Sequence, residues 1–250
     1  MRILATYSIK GGVGKTSAAV NLAYFAARSG ERTLVWDLDP QGAATYCFRI
    51  KQKVKGGAKA IVRRRRELDE LIKGTDYRDL DLVPADFSYR YMDLLLDSVK
   101  RPTSRLRKVL KPLGDEYDYV FLDCPPSISL VSENVIAAAD ALLVPLIPTT
   151  LSVRTLDQLD AVVAGVNTGG VAIAPFFSMV DRRRNLHCEI VSSLPEERPE
   201  ILSTQIPYSS SVEQMSVRRA PLGDYSVRSR ASEAFRSLWE EIKGRVAWPS

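Results

Sequence analysis

A chain of 250 residues, 45% hydrophobic and 26% charged, has the composition of one globular α/β domain and is long enough to bury a core without a disulfide or metal staple. No run approaches the ~18–20 continuous apolar residues of a membrane span, and the opening MRILATYSIKGG is too briefly apolar for a signal peptide, so the expected setting is the cytoplasm. The net charge of +5 is mild, but arginines cluster at Arg63–Arg66, at Arg182–Arg184, and at Arg218, Arg219, Arg228 and Arg230, a distribution suited to phosphate contacts.

Ile3–Tyr7 reads as a short apolar strand running into a glycine loop. Ser17–Ser29 then places Ala18, Ala19, Leu22, Ala23 and Ala26 on one helical face, with Gly30 as the C-cap. Thr33–Asp37 is a buried strand and Leu80–Pro84 another, followed by a helix around Tyr91–Val99. Tyr119–Asp123 (YVFLD) is an apolar strand ending in a carboxylate, and Cys124-Pro125-Pro126-Ser127 turns the chain. A helix over Ser132–Ala139, the strand Ala141–Leu146, a helix near Val153–Ala164 and the strand Val171–Ser178 follow. The remaining elements are a helix over Leu186–Leu194, a short strand ending at Ile206-Pro207, and a last helix over Arg230–Val246. Strands alternating with helices imply an α/β fold, a mostly parallel twisted sheet with helices on both faces, as one domain over 1–250. Only 48–79 is weakly patterned, basic and glycine-containing, and it reads as irregular.

Several residues have bland readings. Cys47, Cys124 and Cys188 are far apart and form no CxxC pair, which argues against a zinc site, a redox dithiol or an iron–sulfur cluster. Cys124 reads as packing beside the sheet, and the lone His187, in a polar context, as an ordinary surface residue. Arg63 and Arg66 precede Glu67 and Glu70 by four residues, so helical ion pairs are an alternative to a phosphate patch. Phe235, Leu238, Trp239, Ile242 and Val246 form an apolar stripe that fits core packing better than a membrane surface, because Glu233, Glu240 and Glu241 share the helix.

The chemistry is concentrated in Ser8-Ile9-Lys10-Gly11-Gly12-Val13-Gly14-Lys15-Thr16-Ser17. A glycine run between a strand and a helix lets backbone N–H groups curl around a polyphosphate, and the start of the helix adds its positive end. In such a phosphate loop Lys15 neutralises the β- and γ-phosphates and the Thr16 hydroxyl is placed to ligate Mg²⁺. Asp123, at the end of its strand, stands where the acid of a Mg²⁺ shell belongs. Asp37 and Asp39, in DLDPQG, lie at the same sheet edge and can orient water or contact the metal shell. Taken singly, either aspartate also suits a plain turn before Pro40 and Gly42.

KGGVGKT, DLDPQG and YDYVFLDCPPS together resemble the ParA/MinD group of deviant-Walker ATPases, and the likeness continues through Met179–Leu186 and Ile206-Pro207. The resemblance implies an ATP- and Mg²⁺-dependent ATPase of slow, partner-stimulated turnover that forms a homodimer around two nucleotides. Lys10 would be the signature lysine, reaching the phosphates held by the other subunit. Asp39 would position the hydrolytic water and Asp37 would support the metal environment. Met179, Asp181, Pro207 and Tyr208 would flank the adenine. It further implies non-specific DNA binding on the nucleoid, with Arg184, Arg218, Arg219, Arg228 and Arg230 as candidate contacts, and a cargo adaptor protein that stimulates release. Arg182 and Arg183 match either that surface or the nucleotide pocket. Two alternatives stand beside this reading: a MinD-like membrane-cycling ATPase and an ATP-dependent metabolic ligase on a related fold.

Overall fold

The computed structural model describes residues 1–166 and 170–246. Its strands are β1 (Arg2–Thr6), β2 (Thr33–Asp37), β3 (Lys73–Gly74), β4 (Leu80–Val83), β5 (Tyr119–Asp123), β6 (Ala141–Leu146) and β7 (Ala172–Phe177). They form one sheet in the order β3-β4-β2-β5-β1-β6-β7, parallel throughout except where the two-residue β3 runs antiparallel to β4. The helices are α1 (Lys15–Arg28), α2 (Ala43–Cys47), α3 (Gly57–Val62), α4 (Met92–Asp97), α5 (Arg105–Leu110) and α6 (Leu130–Ala138). The chain continues through α7 (Thr150–Gly165), α8 (Asn185–Glu197), α9 (Ser210–Glu213), α10 (Met215–Arg218), α11 (Leu222–Tyr225) and α12 (Arg230–Arg245).

The period of two along each strand divides the core. Ala5, Leu34, Trp36, Leu122 and Val144 pack on one face with Met92, Leu106, Val135 and Leu156 from α4 to α7. Leu4, Val35, Phe121 and Leu143 pack on the other face with α1 and α12. The apolar stripe of α12 is therefore core: Phe235, Leu238, Trp239, Ile242 and Val246 are all buried. Trp239 meets the rings of Tyr119 and Phe121 at 4.9 and 5.8 Å and donates its indole N–H to Ser29 Oγ at 3.1 Å. Among the described residues no helix is long and apolar enough to cross a membrane.

Glu241 is the polar anchor of α12. It accepts from the Ser203 N–H and hydroxyl at 2.7 and 2.6 Å and from the Thr204 N–H at 2.8 Å, and these donors hold its carboxyl at about 2 against the opposing effect of burial. A carboxylate with a depressed pKa stabilises the fold above its unfolded value and loses that contribution as pH falls toward 2. Glu241→Ala is expected to cost about 1–3 kcal/mol at neutral pH. Calorimetry should show a lowered melting temperature that converges with the parent as the solution is acidified.

Two expectations need correction. No strand forms at Ile206-Pro207. Single parallel bridges join Phe176 to Leu202 and Val180 to Pro207, because Pro207 has no N–H and Ser203 and Thr204 turn toward Glu241. The segment 48–79 is not wholly irregular either: it contains α3 and β3, with Ala58, Ala60, Ile61 and Val62 buried. Arg63–Arg66 leave α3 through a turn at Arg64 (φ 50°), so Arg66–Glu70 and Arg64–Glu67 pair with no α-helix running from arginine to glutamate, Glu70 lying in the 3₁₀ turn Asp69–Leu71, and no Arg63–Glu67 pair forms.

Candidate nucleotide site

The parallel sheet delivers every strand that matters to one edge. Thr6, Asp123 and Asp37 are register partners across β1, β5 and β2, so two carboxylates and a hydroxyl emerge side by side where the strands end. Between β1 and α1 the chain makes its glycine loop. Gly14 has φ 98°, and a Cβ there would stand 2.9 Å from Ser178 Oγ, so the loop geometry requires glycine. Lys15 opens α1 as a buried residue, its ammonium donating to the Lys10 carbonyl at 3.0 Å. Burial pulls its pKa down, and Asp123 opposes that shift.

Asp37 is buried and its oxygens are taken. Oδ2 accepts from the Thr45 N–H and hydroxyl at 2.8 and 2.7 Å, and Oδ1 from the Asp39 N–H at 3.2 Å. Burial outweighs these donors and raises its pKa to about 6. Asp123 is different. One oxygen accepts a long bond from Thr6 Oγ1 at 3.4 Å, while Oδ2 is buried with no partner among the described residues. Burial and then the neighbouring Asp37 push its pKa up; Thr16 and Lys15 pull it back.

A buried, unpaired carboxylate oxygen beside a threonine hydroxyl and a second carboxylate fits a hard divalent cation. Among the described residues no three His, Cys, Asp or Glu side chains cluster as a metal cage. The donor set therefore suits Mg²⁺, which keeps waters and phosphate oxygens as most of its ligands. Asp39 sits apart at the rim, half-buried, with Oδ1 accepting from the Gln41 N–H at 2.8 Å. Lys10 is half-buried at the mouth, and its ammonium has no hydrogen-bond or ion-pair partner among the described residues.

Met179, two residues past the end of β7, has φ 55° and its Cε lies 3.8 Å from where a Gly14 Cβ would stand, which carries the loop's surroundings toward Asp181. There a cavity of about 710 Å³ is lined by Asp181, Arg182, Arg183, Pro207, Tyr208 and Arg230, among others. Arg183 forks both Asp181 oxygens at 2.9 Å and holds that carboxyl at about 2. Of the remaining arginines, Arg184, Arg218 and Arg228 are exposed, whereas Arg219 is half-buried against Tyr46.

His187 is not a surface residue. It is 2% exposed, its Nδ1 accepts from the Asp181 N–H at 3.1 Å, and its Nε2 is buried without a partner among the described residues. Its spacing with Ile190 and Leu194, both buried, is the inner stripe of α8 and is the sequence signal that would have placed it. Thr45, the donor to Asp37, carries no such signal. Burial lowers the His187 pKa first and Arg184 lowers it further, with Asp181 opposing. The unfolded chain then protonates first, so stability is present above about 6.5 and lost as pH falls below it. Asp37, with its raised pKa, contributes with the opposite sign. His187→Asn keeps an acceptor but not the titration, and thermal melts between pH 7 and 5 should show the acid-side loss flattened.

A protein-family model described as an AAA domain matches residues 1–170. The chromosome partitioning protein ParA of Myxococcus xanthus is 32% identical over 250 residues, covering 98% of this chain and 88% of that protein. The chain belongs to the ParA/MinD family of P-loop ATPases. Solved structures agree on the fold. An ATP complex of a McdA variant from Cyanothece superposes with a TM-score of 0.83 at 22% identity, covering 97% of this chain and 96% of that one. Cobyrinic acid a,c-diamide synthase from Mycobacterium smegmatis, with ADP and magnesium bound, gives 0.79 at 24% identity, covering 96% and 93%. For this member of the ParA/MinD family, the glycine loop, Lys15 and the Asp37–Asp123 pair occupy one sheet edge.

Proposed function

We propose that the chain is a Mg²⁺-dependent ATPase switch that dimerises around ATP, binds DNA without reading its sequence, and positions DNA or a large protein cargo with an adaptor protein. The observation that carries this reading is the buried, unpaired Asp123 oxygen beside Asp37 at the mouth of a loop holding Lys15. Lys15 and the loop N–H groups bind the phosphates, and Thr16 and Asp123 hold the cation, with Asp37 behind them. Mg²⁺ held there would supply neutralisation of the nucleotide's phosphate charge. Asp39 has one oxygen tied to the Gln41 N–H and orients water with the other. Met179, Asp181, Pro207 and Tyr208 flank the base. Lys10 completes the phosphate site of the partner subunit, because about four negative charges are a heavy load for one lysine in a closed interface.

ATP-driven dimerisation pairs two arginine surfaces and raises their avidity for phosphate backbones, with Arg184, Arg218, Arg219, Arg228 and Arg230 as the candidate contacts and the nucleoid as the setting. The α12 stripe, the feature on which a membrane-cycling alternative would depend, is buried against the sheet. DNA co-sedimentation with ATP, with ADP and without nucleotide, at two salt concentrations, tests the reading. ATP-specific, salt-sensitive binding is expected. Binding that ignores nucleotide, or none, contradicts it.

A further inference from the structure

One cation of the arginine-rich corner points inward. Helix α2 has five residues, and a helix so short has almost no intrinsic stability in water, so the groups at its ends decide where it sits. On its inner side Thr45 gives its N–H and hydroxyl to Asp37, and the same hydroxyl accepts from the Ala85 N–H at 2.8 Å. Thr45 is thus the fixed point between the carboxylate and the end of β4. Its neighbour Tyr46 faces outward, 50% exposed, and its carbonyl lies in the last turn of α2. That carbonyl accepts from Arg219 Nε at 3.1 Å, and the Arg219 guanidinium lies over the Tyr46 ring at 4.4 Å.

A guanidinium bonded to a last-turn carbonyl is favoured by the negative end of the helix. Arg219 reaches it from the residue immediately after α10, with a left-handed backbone at φ 50°. That conformation is costly for a non-glycine residue and persists where the surroundings fix it. From the other side Gln52 Nε2 donates to the Pro40 carbonyl at 2.6 Å, bracing the turn that carries Asp39.

The geometry points to Arg219 as a positioning residue for the hydrolytic carboxylates: through Tyr46 it fixes α2, and α2 fixes Asp37 and the turn leading from Asp39. This rests on the ATPase reading above and deepens it. It also divides the corner by task. Arg218 and Arg228 are exposed and available to phosphates, while Arg219 is engaged with α2.

The test is steady-state ATP turnover of the full chain without DNA, together with amide hydrogen exchange of the nucleotide-free chain. Arg219→Ala is expected to lower kcat about tenfold with the nucleotide Kd unchanged, since displacement of a reacting group by a fraction of an ångström is felt in the chemical step. Tyr46→Ala should reproduce part of that loss, and the double variant should fall no further than Arg219→Ala. Tyr46→Phe keeps ring and carbonyl and should restore the parent rate. Arg219→Lys, lacking the planar fork, should not. In the nucleotide-free chain, exchange at the Thr45 amide should speed about tenfold in Arg219→Ala, while the amides of β5 stay protected.

Parent turnover and unchanged Thr45 exchange in Arg219→Ala, with loss of DNA binding alone, would return Arg219 to the phosphate contacts and overturn the proposal. If Arg219→Ala also loosens β5, Tyr46→Ala decides: unchanged Thr45 exchange there overturns it equally. Absence of ATPase activity in the parent would defeat the functional reading, whereas the Thr45 exchange would still decide the positioning claim.

Discussion

Asp39→Ala is expected to lower ATP turnover by about 10²- to 10⁴-fold, the usual worth of a group that aligns and accepts from an attacking water. ATP affinity should change little, because the proposed phosphate holders are the glycine loop and Lys15, with which Asp39 makes no hydrogen bond or ion pair among the described residues. The three aspartates at this edge are separated by their environments. Asp37 has its oxygens occupied by Thr45 and the Asp39 N–H, and Asp123 is fully enclosed with one oxygen free. Asp39 alone is half-buried at the rim with an oxygen to spare. Single-turnover measurements should therefore show normal ATP capture followed by a stalled chemical step, and the ATP-bound state should accumulate. Normal turnover would transfer the water-orienting role elsewhere.

Replacing Lys10 by alanine has a different expected consequence. In a two-fold symmetric dimer each residue counts twice. A charge-assisted contact to phosphate contributes about 1.5–3 kcal/mol. Two of them total about 3–6 kcal/mol, or roughly 10²- to 10⁴-fold in the dimer constant. Lys10 has no competing partner within its own chain among the described residues, so no internal ion pair offsets that loss. Monomeric ATP binding should survive, since Lys15 and the loop are untouched. Equilibrium sedimentation across protein concentration measures the shift directly.

The sheet was legible because its strands are buried on both faces and read as apolar runs with polar ends. β2, β5 and β6 fall on Thr33–Asp37, Tyr119–Asp123 and Ala141–Leu146, as the pattern indicates. Helix starts were less legible. α1 begins at Lys15 rather than Ser17 because its first turn belongs to the glycine loop, and α6 begins at Leu130 because Ser129 and Ser132 cap it reciprocally. Helix α3 was missed because it is six residues long and held by distant partners: Asp86 takes the Val54 N–H at 2.8 Å and Ser88 takes the Ala58 N–H at 2.8 Å. The same distinction applies to the site. Lys15, Thr16 and the aspartates announce themselves by motif, and His187 by the stripe it shares with Ile190 and Leu194, whereas Thr45 and the inward turn of Arg219 are set by tertiary contacts over as many as 173 residues.

The central claim is that ATP, and not ADP, joins two copies of this chain through Lys10. Sedimentation velocity of the parent and of Lys10→Ala, each with Mg²⁺ and either ATP, ADP or no nucleotide, tests it most directly. The account predicts a dimer only for the parent with ATP and a monomer in every other arm. A parent that stays monomeric with ATP, or a Lys10→Ala variant that dimerises normally, would contradict it.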